Sequence, residues 1–277
     1  MKGYKGFNKG MICRGKQYKE NTVFEEPEAN ICVNGMHFCE NPFDVLDYYG
    51  FVNYNGELNE FAEVESLDEV KTNDSKKYCT KKLKIGAKLS LAKFIRACAE
   101  RAENLNHSKD FNKISSSISN IRLGSLGDSA QIGSSGDFAK IANSGRCAKI
   151  GSSGYAARIS SSGNSAKIAN LGYSARIANL GDSAQIANLG DSAQIANSGD
   201  AARISSSGEN CVICCTGDAS RVKAKKGSWI TLSEWRWDEE EEVCVLVCVK
   251  TEQVDGERIK EDVFYTLRDG EFQEVKP

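Results

Sequence analysis

The middle of the chain repeats one word of nine residues in which apolar and polar positions recur. Glycine stands at every ninth position from residue 127 to residue 217, and an isoleucine lies five residues after each one until Val222 follows Gly217. In the consensus word G-D-S-A-x-I-A-N-x, alanine and isoleucine are two positions apart. In an extended strand they point to one side, while serine and x point to the other. The pattern therefore predicts short strands with an apolar inner side.

A fixed period this short is typical of a solenoid, in which each unit closes its core only by stacking on the next. Gly-Asp and Asn-Ser pairs form turns readily, so we expect them to supply the corners. One word is too short to close a coil, whereas two words make a flattened coil of 18 residues, the separation between Tyr155 and Tyr173. The sequence thus predicts a β-helix of about six coils, in which Ile132 stacks on Ile150 and not on Ile141.

The chain before the repeats predicts a separate α+β N-terminal domain over residues 1–88. It contains short strands and one helix that begins at Pro42 and buries the side chains of Phe43, Leu46 and Tyr49. Apolar residues at helical spacing, among them Leu91, Phe94 and Cys98, then predict a connecting helix over residues 89–112.

The chain after the β-helix, which we assign to residues 113–226, alternates apolar and polar residues again. Asp255-Gly256 and Asp269-Gly270 are hairpin signals, so residues 227–277 predict a small antiparallel β cap. The acidic run from Asp238 to Glu242 is expected to form a solvated loop, and the alternative is that it docks on a basic ladder of the repeats. The predicted fold class is mainly β.

The residue x is expected at the surface, because it lies between the inward alanine and isoleucine. From Lys113 to Arg221 this column contains Lys, Arg, Gln and one Val, and no acid. In an 18-residue coil it forms two ladders. One face stacks Arg122, Lys140, Arg158, Arg176 and Gln194; the other stacks Lys113, Gln131, Lys149, Lys167, Gln185, Arg203 and Arg221.

These ladders are the candidate binding surfaces. A negatively charged ligand or protein surface would fit along Lys140, Arg158 and Arg176, or along Lys149, Lys167 and Arg203. The alternative is that long polar side chains only keep the sheets soluble and prevent edge pairing. If solubility alone chose these residues, acids should occur in the column as often as bases.

Charge is distributed unevenly along the chain, although the net charge is −2. Residues 1–112 carry 17 basic and 17 acidic side chains, residues 113–226 carry 13 and 7, and residues 227–277 carry 6 and 14. The repeats are therefore basic and the C-terminal region is acidic, which favours an anionic partner for the repeats.

The 11 cysteines show no framework spacing, which favours reduced thiols in a reducing compartment. The sequence has no long apolar run and no signal-peptide pattern, so we expect a cytoplasmic protein outside membranes. Cys211 and Cys214 stand in repeat columns otherwise filled by small residues, and the histidines are distant, which argues against a zinc site. The incomplete Asp column argues against calcium, so no metal is expected.

Several longer stretches carry a resemblance that covers the whole chain. They are "GFNKGMICRGKQY", "GMHFCENPFDVLDYY", the Gly/Ser/Ala repeats, "KGSWITLSE" and "VDGERIKEDVFYTLRDGEF". Together they resemble an uncharacterised family of phage and prophage proteins of bacteria. The resemblance implies a mobile-element origin, a place in the cytoplasm of a bacterial host cell, and a host factor as partner, which the protein would mask as a counter-defence. It implies no activity.

Three short motifs near the N-terminus are similar to those of ADP-ribosyltransferases. They are "CRG" around Arg14, "GMHFCENPFDVLDY" ending at Tyr48, and "EVE" at residues 63–65. The resemblance implies that Arg14 binds the phosphates of NAD, that Tyr48 lines the pocket, and that Glu65 is catalytic together with Glu63, two residues before it in the same E-x-E strand. The Ser-Thr-Ser strand of that family has no counterpart here.

Two functions therefore remain open. The first is non-enzymatic binding of a host protein or anionic ligand by the solenoid, without a cofactor. The second is NAD-dependent ADP-ribosylation by the N-terminal domain, with the solenoid as a targeting arm. A cleft that holds both Arg14 and Glu65 favours the enzyme, whereas opposite faces exclude it.

Overall fold

The computed structural model describes residues 1–51, 53, 57–91, 93–94, 97–98 and 113–275. The chain forms two compact units, Met1–Arg101 and Ala102–Pro277. Strands dominate, which confirms the predicted fold class.

The first unit is built on a seven-stranded antiparallel sheet. Its elements are β1 (Lys2–Phe7), β2 (Ile12–Cys13), β3 (Lys16–Gln17), β4 (Thr22–Glu25), β5 (Met36–Cys39), α1 (Pro42–Val45), β6 (Glu60–Ser66), β7 (Val70–Thr72), β8 (Lys77–Thr80) and β9 (Lys82–Leu89). The strand order is β4-β9-β6-β1-β5-β8-β7, and β2 pairs with β3 in a separate hairpin. One face of the sheet packs Phe7, Phe38 and Leu83 into a core.

Helix α1 begins where the sequence predicts it. Asn41 caps it by accepting a hydrogen bond from the backbone N–H of Phe43, and Pro42 opens the first turn, where no N–H is required. Phe43 and Leu46 are buried as expected, while Tyr49 is half-buried.

The predicted connecting helix over residues 89–112 lies mostly outside the described residues. Within the described part, the N–H of Phe94 donates to the carbonyl oxygen of Ser90, the bond expected for an α-helix. The Phe94 ring stacks on Phe61, with 3.9 Å between ring centroids. The apolar spacing in this segment therefore does mark residues that pack on the sheet.

The second unit begins with the β-helix, whose strands alternate between two parallel sheets. The first sheet contains β10 (Lys113–Ser116), β12 (Gln131–Ser134), β14 (Lys149–Ser152), β16 (Lys167–Asn170), β18 (Gln185–Asn188), β20 (Arg203–Ser206) and β22 (Arg221–Lys223). The second contains β11 (Arg122–Ser125), β13 (Lys140–Asn143), β15 (Arg158–Ser161), β17 (Arg176–Asn179), β19 (Gln194–Asn197) and β21 (Val212–Cys215).

The register confirms the 18-residue coil. Ile132 pairs with Ile150 in the first sheet, and Ile141 pairs with Ile159 in the second. The solenoid has about seven turns, slightly more than the six expected. The alanine and isoleucine columns are buried inside it, as predicted.

The asparagine column does not form the corners, and this expectation was wrong. The side chain of Asn179 is buried, and its Nδ2 donates to the carbonyl oxygen of Gly181 at 2.7 Å and to Oδ1 of Asn197 at 2.7 Å. Asparagine is two residues after isoleucine, so the strand turns it inward as well. Its amide then bonds the backbone of its own coil and the equivalent asparagine of the next.

The corner is made by the residue two positions after the glycine. Ser165 has φ 60°, and its counterparts, such as Ala156 with φ 52°, are also left-handed. The preceding Asp column holds adjacent coils together: Oδ1 of Asp182 accepts a hydrogen bond from the N–H of Asp200 at 3.0 Å. The Asp therefore has a structural role that needs no calcium.

The C-terminal strands extend the two solenoid sheets. They are β23 (Trp229–Asp238), β24 (Val243–Gln253), β25 (Tyr265–Arg268) and β26 (Glu271–Glu274). Strand β23 pairs parallel with β21 and antiparallel with β24, whereas β25 pairs antiparallel with β22 and β26.

The hairpin signals in this region have different outcomes. Asp269 and Gly270, with φ 52° and 70°, form the predicted tight turn between β25 and β26. Asp255-Gly256 instead lies in the longer loop between β24 and β25. The acidic run after β23 forms an exposed turn, as expected.

Candidate functional site

The outer faces of the two solenoid sheets differ in exposure. In the sheet of β11 to β21, the x residues and the small residues two positions later are exposed, for example Arg158 and Ser160. In the other sheet, Lys149 is only 4% exposed and the outward Ala169 is fully buried. The expectation that x is always a surface position is therefore wrong for the second face.

The second ladder is consequently a poor candidate for docking. Lys149, Lys167 and Arg203 are buried or half-buried, and each already interacts with other groups of the chain. Strand alternation specifies only whether a side chain points into or out of the coil. It does not specify whether other atoms of the chain cover the outside.

We call the exposed surface of the sheet of β11, β13, β15 and β17 the open face. Its cations are in register: Arg122 pairs with Lys140, Lys140 with Arg158, and Arg158 with Arg176. Strand spacing puts successive backbones about 4.8 Å apart. Within the described part of the chain, these four side chains form no hydrogen bond and no ion pair. They line an open groove of about 750 Å³ together with small residues such as Ala142, Ser160 and Ala178.

The open face changes character towards the C-terminus. The x column continues as Gln194, Val212 and Trp229, and the last two side chains are about half-exposed. Cations therefore occupy the N-terminal end of this x column, and apolar side chains occupy its C-terminal end.

Three exposed aromatic side chains lie at the corner that leads into the open face. The rings of Tyr155 and Tyr173 stack with 5.9 Å between centroids and an interplanar angle of 6°, and Phe138 meets Tyr155 edge-on. Each ring is close to half-exposed. They precede β13, β15 and β17, which carry Lys140, Arg158 and Arg176. In the sequence Tyr155 and Tyr173 indicated only the coil length, although two tyrosines at a position that is acidic in most repeats were the signal for this surface.

The first unit contains a cavity of about 300 Å³ that brings two predicted residues together. Arg14 and Tyr48 both line it, with Lys5, Cys13, His37 and Tyr49. Arg14 and Gly15 form the two-residue turn between β2 and β3, and both are left-handed, with φ 50° and 75°. Strand β1 supplies Lys5, and β5 supplies His37.

Cations outnumber acids among the described residues that line this cavity, which include Lys5, Arg14, Lys16 and Lys77 but only one carboxylate, that of Glu26. Lys5 is 5% exposed, and its Nζ donates to the carbonyl oxygen of His37 at 2.8 Å and to Sγ of Cys13 at 3.4 Å. Burial lowers the pKa of Lys5. Burial, and then the charges of Lys5, Arg14 and Lys77, lower the pKa of His37 to about 4. Lys5 and His37 were not predicted, because a single lysine in "GYKGF" gives no sign of burial.

The structure does not bring Glu63 and Glu65 into this cavity. In the β1–β6 register, Glu65 is opposite Lys2, Glu63 is opposite Tyr4, and Ala62 is opposite Lys5. Paired residues share a face, so the two glutamates lie on the opposite face of the sheet from Lys5. Neither glutamate lines the cavity. The arrangement implied by the resemblance to ADP-ribosyltransferases is therefore not formed.

Comparison with known proteins finds a similarity to a family model over the first part of the chain. Residues 1–97 match the model described as Domain of unknown function (DUF7666). No curated protein and no solved structure matches the chain. The family match covers the unit with the cavity and not the repeats.

Three further observations concern metal ligands, membrane helices and cysteines. No group of three or more His, Cys, Asp or Glu side chains suited to a metal ion occurs among the described residues. Over the same parts of the chain, no helix combines the length and the apolar character needed to cross a membrane. All cysteines are free thiols, including Cys211, Cys214 and Cys215.

Proposed function

We propose that the protein is a non-enzymatic binding scaffold whose open face binds an extended anionic partner. The observation that supports this proposal most directly is the ladder of Arg122, Lys140, Arg158 and Arg176. These cations are exposed, are in register, and form no ion pair within the described residues. Like charges on adjacent strands repel, so an ordered row of cations without acids is electrostatically favourable only when an anion neutralises it.

The shape of the open face favours a linear polyanion. The cations repeat at the strand spacing along a straight row, and the groove beside them has a floor of small side chains. A chain with regularly spaced negative charges can therefore contact several cations at once. The stacked Tyr155 and Tyr173 at the adjoining corner would provide flat apolar surface for its uncharged groups.

The resemblance to phage and prophage proteins supports a bacterial host factor as the partner, which binding to the open face would mask. If the partner is a host protein, an acidic surface of that protein would bind the open face in place of a linear polyanion. ADP-ribosylation is not favoured, because Arg14 and Glu65 lie apart.

The test measures binding of three fluorescently labelled probes to the full chain: oligothymidylate, polyphosphate and poly-L-glutamate. Affinity is measured between about 50 mM and 200 mM salt for wild type and for Lys140→Gln/Arg158→Gln/Arg176→Gln. Loss of three phosphate contacts should reduce the slope of log affinity against log salt by about 2 and weaken binding at least about tenfold. Capture of an acidic protein from bacterial lysate, with no binding of the three probes, would favour an acidic host protein over a linear polyanion as the partner.

The control is Lys19→Gln/Lys81→Gln/Arg146→Gln, which removes three exposed cations that do not line the groove of the open face. It should bind as wild type does. The second ladder is not a suitable control, because its side chains are covered and partnered. Equal weakening in both variants would indicate non-specific attraction. No binding of any probe and no lysate partner would mean that the ladder is only a solvated surface.

A further inference from the structure

The cavity of the first unit contains an unpaired cation at a strained turn. Arg14 occupies a left-handed position in a two-residue hairpin turn, where Asn, Asp or Gly is usual. Its guanidinium forms no hydrogen bond and no ion pair with the described residues. An arginine at a strained backbone position points to a functional role for its side chain, and the Arg14 side chain lines a cavity.

Lys5 is a second cation without an acidic partner. Its Nζ is buried and, among the described residues, has only a carbonyl oxygen and a sulfur as neighbours within hydrogen-bond distance. The one carboxylate that the described part of the cavity wall contains belongs to Glu26, which forms an ion pair with Lys16. Buried charges are normally paired. The buried ammonium group of Lys5 therefore lacks the anion that would pair with it, and the exposed Arg14 lines the same cavity.

We propose that this cavity binds a small organic anion, whose charged group contacts Arg14 and Lys5 and whose apolar body packs on the aromatic wall. This proposal is independent of the open face. The wall contains Tyr18, Phe38, Tyr48 and Tyr49. Lys77 lies over the Tyr48 ring, 4.6 Å from its centroid, and adds a third cation at this wall.

The size of the cavity limits the ligand. About 300 Å³ is at the lower end of the range for small-molecule sites, so one aromatic ring with one anionic group is a suitable probe. A carboxylate and a phosphate monoester can both accept hydrogen bonds from guanidinium and ammonium groups.

The experiment compares phenyl phosphate, benzoate, inorganic phosphate and the neutral benzyl alcohol by calorimetric titration of the full chain. Phenyl phosphate or benzoate should bind at least about tenfold more tightly than benzyl alcohol, and the tighter of the two identifies the anionic group. Inorganic phosphate should bind more weakly than phenyl phosphate, because it does not contact the aromatic wall. An anion beside Lys5 and His37 should also raise the pKa of both groups, so binding should take up protons. Titration in two buffers of different ionisation enthalpy detects that uptake.

Two variants test whether Arg14 and Lys5 bind the anion. Arg14→Asn places a residue that favours left-handed geometry in the turn, so the variant should fold as well as wild type and lose at least about tenfold in affinity. Lys5→Met retains an apolar stem and should show the same loss in affinity with a smaller proton uptake, because only His37 then contributes to it. The exposed Lys19→Gln should have no effect. The proposal would be overturned if neither phenyl phosphate nor benzoate bound more tightly than benzyl alcohol, or if the folded Arg14→Asn and Lys5→Met variants kept wild-type affinity.

Discussion

The glycine of each repeat is required by its neighbour in the next coil and not by its own backbone angles. A Cβ at Gly163 would lie 1.9 Å from the carbonyl oxygen of Gly145, and the same contact recurs along the column. Gly163 is not itself left-handed; that geometry belongs to Ser165. Stacked glycines therefore allow the coils to approach each other at the corners.

This steric role predicts that Gly163→Ala destabilises the solenoid. The methyl group would have to displace backbone, which should reduce the free energy of unfolding by about 2 kcal/mol or more. Gly124→Ala is the matched control, since its nearest heavy atom would be 3.9 Å away. That change should alter stability by no more than about 0.5 kcal/mol. Urea unfolding of both variants measures the difference, and equal stability would disprove the steric explanation.

One carboxylate connects two strand elements at the C-terminal end of the solenoid. Glu234 on β23 accepts hydrogen bonds from the backbone N–H groups of Gly270 at 2.7 Å and Asp269 at 3.0 Å, in the turn between β25 and β26. These donors, that of Gly270 first, lower the pKa of Glu234 below its usual 4.5. The two solenoid sheets are thus joined across their ends through side-chain and backbone bonds.

The sign of this shift gives a pH prediction for the turn. A carboxyl group with a lowered pKa contributes stability above its unfolded value, and that contribution is lost as pH falls through the folded pKa. The amide resonance of Gly270 should therefore titrate with a midpoint below 4.5. Glu234→Gln should abolish this step, whereas Glu240→Gln in the exposed acidic turn should retain it. A Gly270 titration that persists in Glu234→Gln would assign it to another group.

The structural period of the solenoid is two nine-residue words, or one coil of 18 residues, because its two faces are not equivalent. One face is open and carries unpaired cations, and the other is covered. A deletion of 18 residues removes one strand from each sheet and preserves this difference. A deletion of nine residues moves every later strand to the other sheet, although the word itself is intact.

Deletion of residues 164–181 should therefore give a folded, shorter protein, whereas deletion of residues 173–181 should be less stable although it removes half as many residues. The second deletion would transfer Ala187, which is buried, to the open face, and Cys214, which is partly exposed, to the covered face. Thermal unfolding of both variants measures this order. A nine-residue deletion as stable as the longer one would mean that the faces are interchangeable.

The sequence by itself determined the solenoid, its 18-residue coil and the inward alanine and isoleucine columns. These features depend on strand alternation and on the stacking of like words, which are properties of neighbouring residues. It also indicated the helix after Asn41 and the turn at Asp269-Gly270, where local backbone preferences are decisive.

Only the tertiary structure decided which ladder is open, and only it assembled the cavity. Lys149 and Arg158 occupy the same position in the word, yet one is covered and the other exposed. Lys5, Arg14, His37 and Lys77 are separated along the chain and meet because β1, the β2–β3 turn, β5 and β8 pack together. Burial and the repulsion between like charges arise from that packing, because they depend on distances in space that no local pattern of residues specifies.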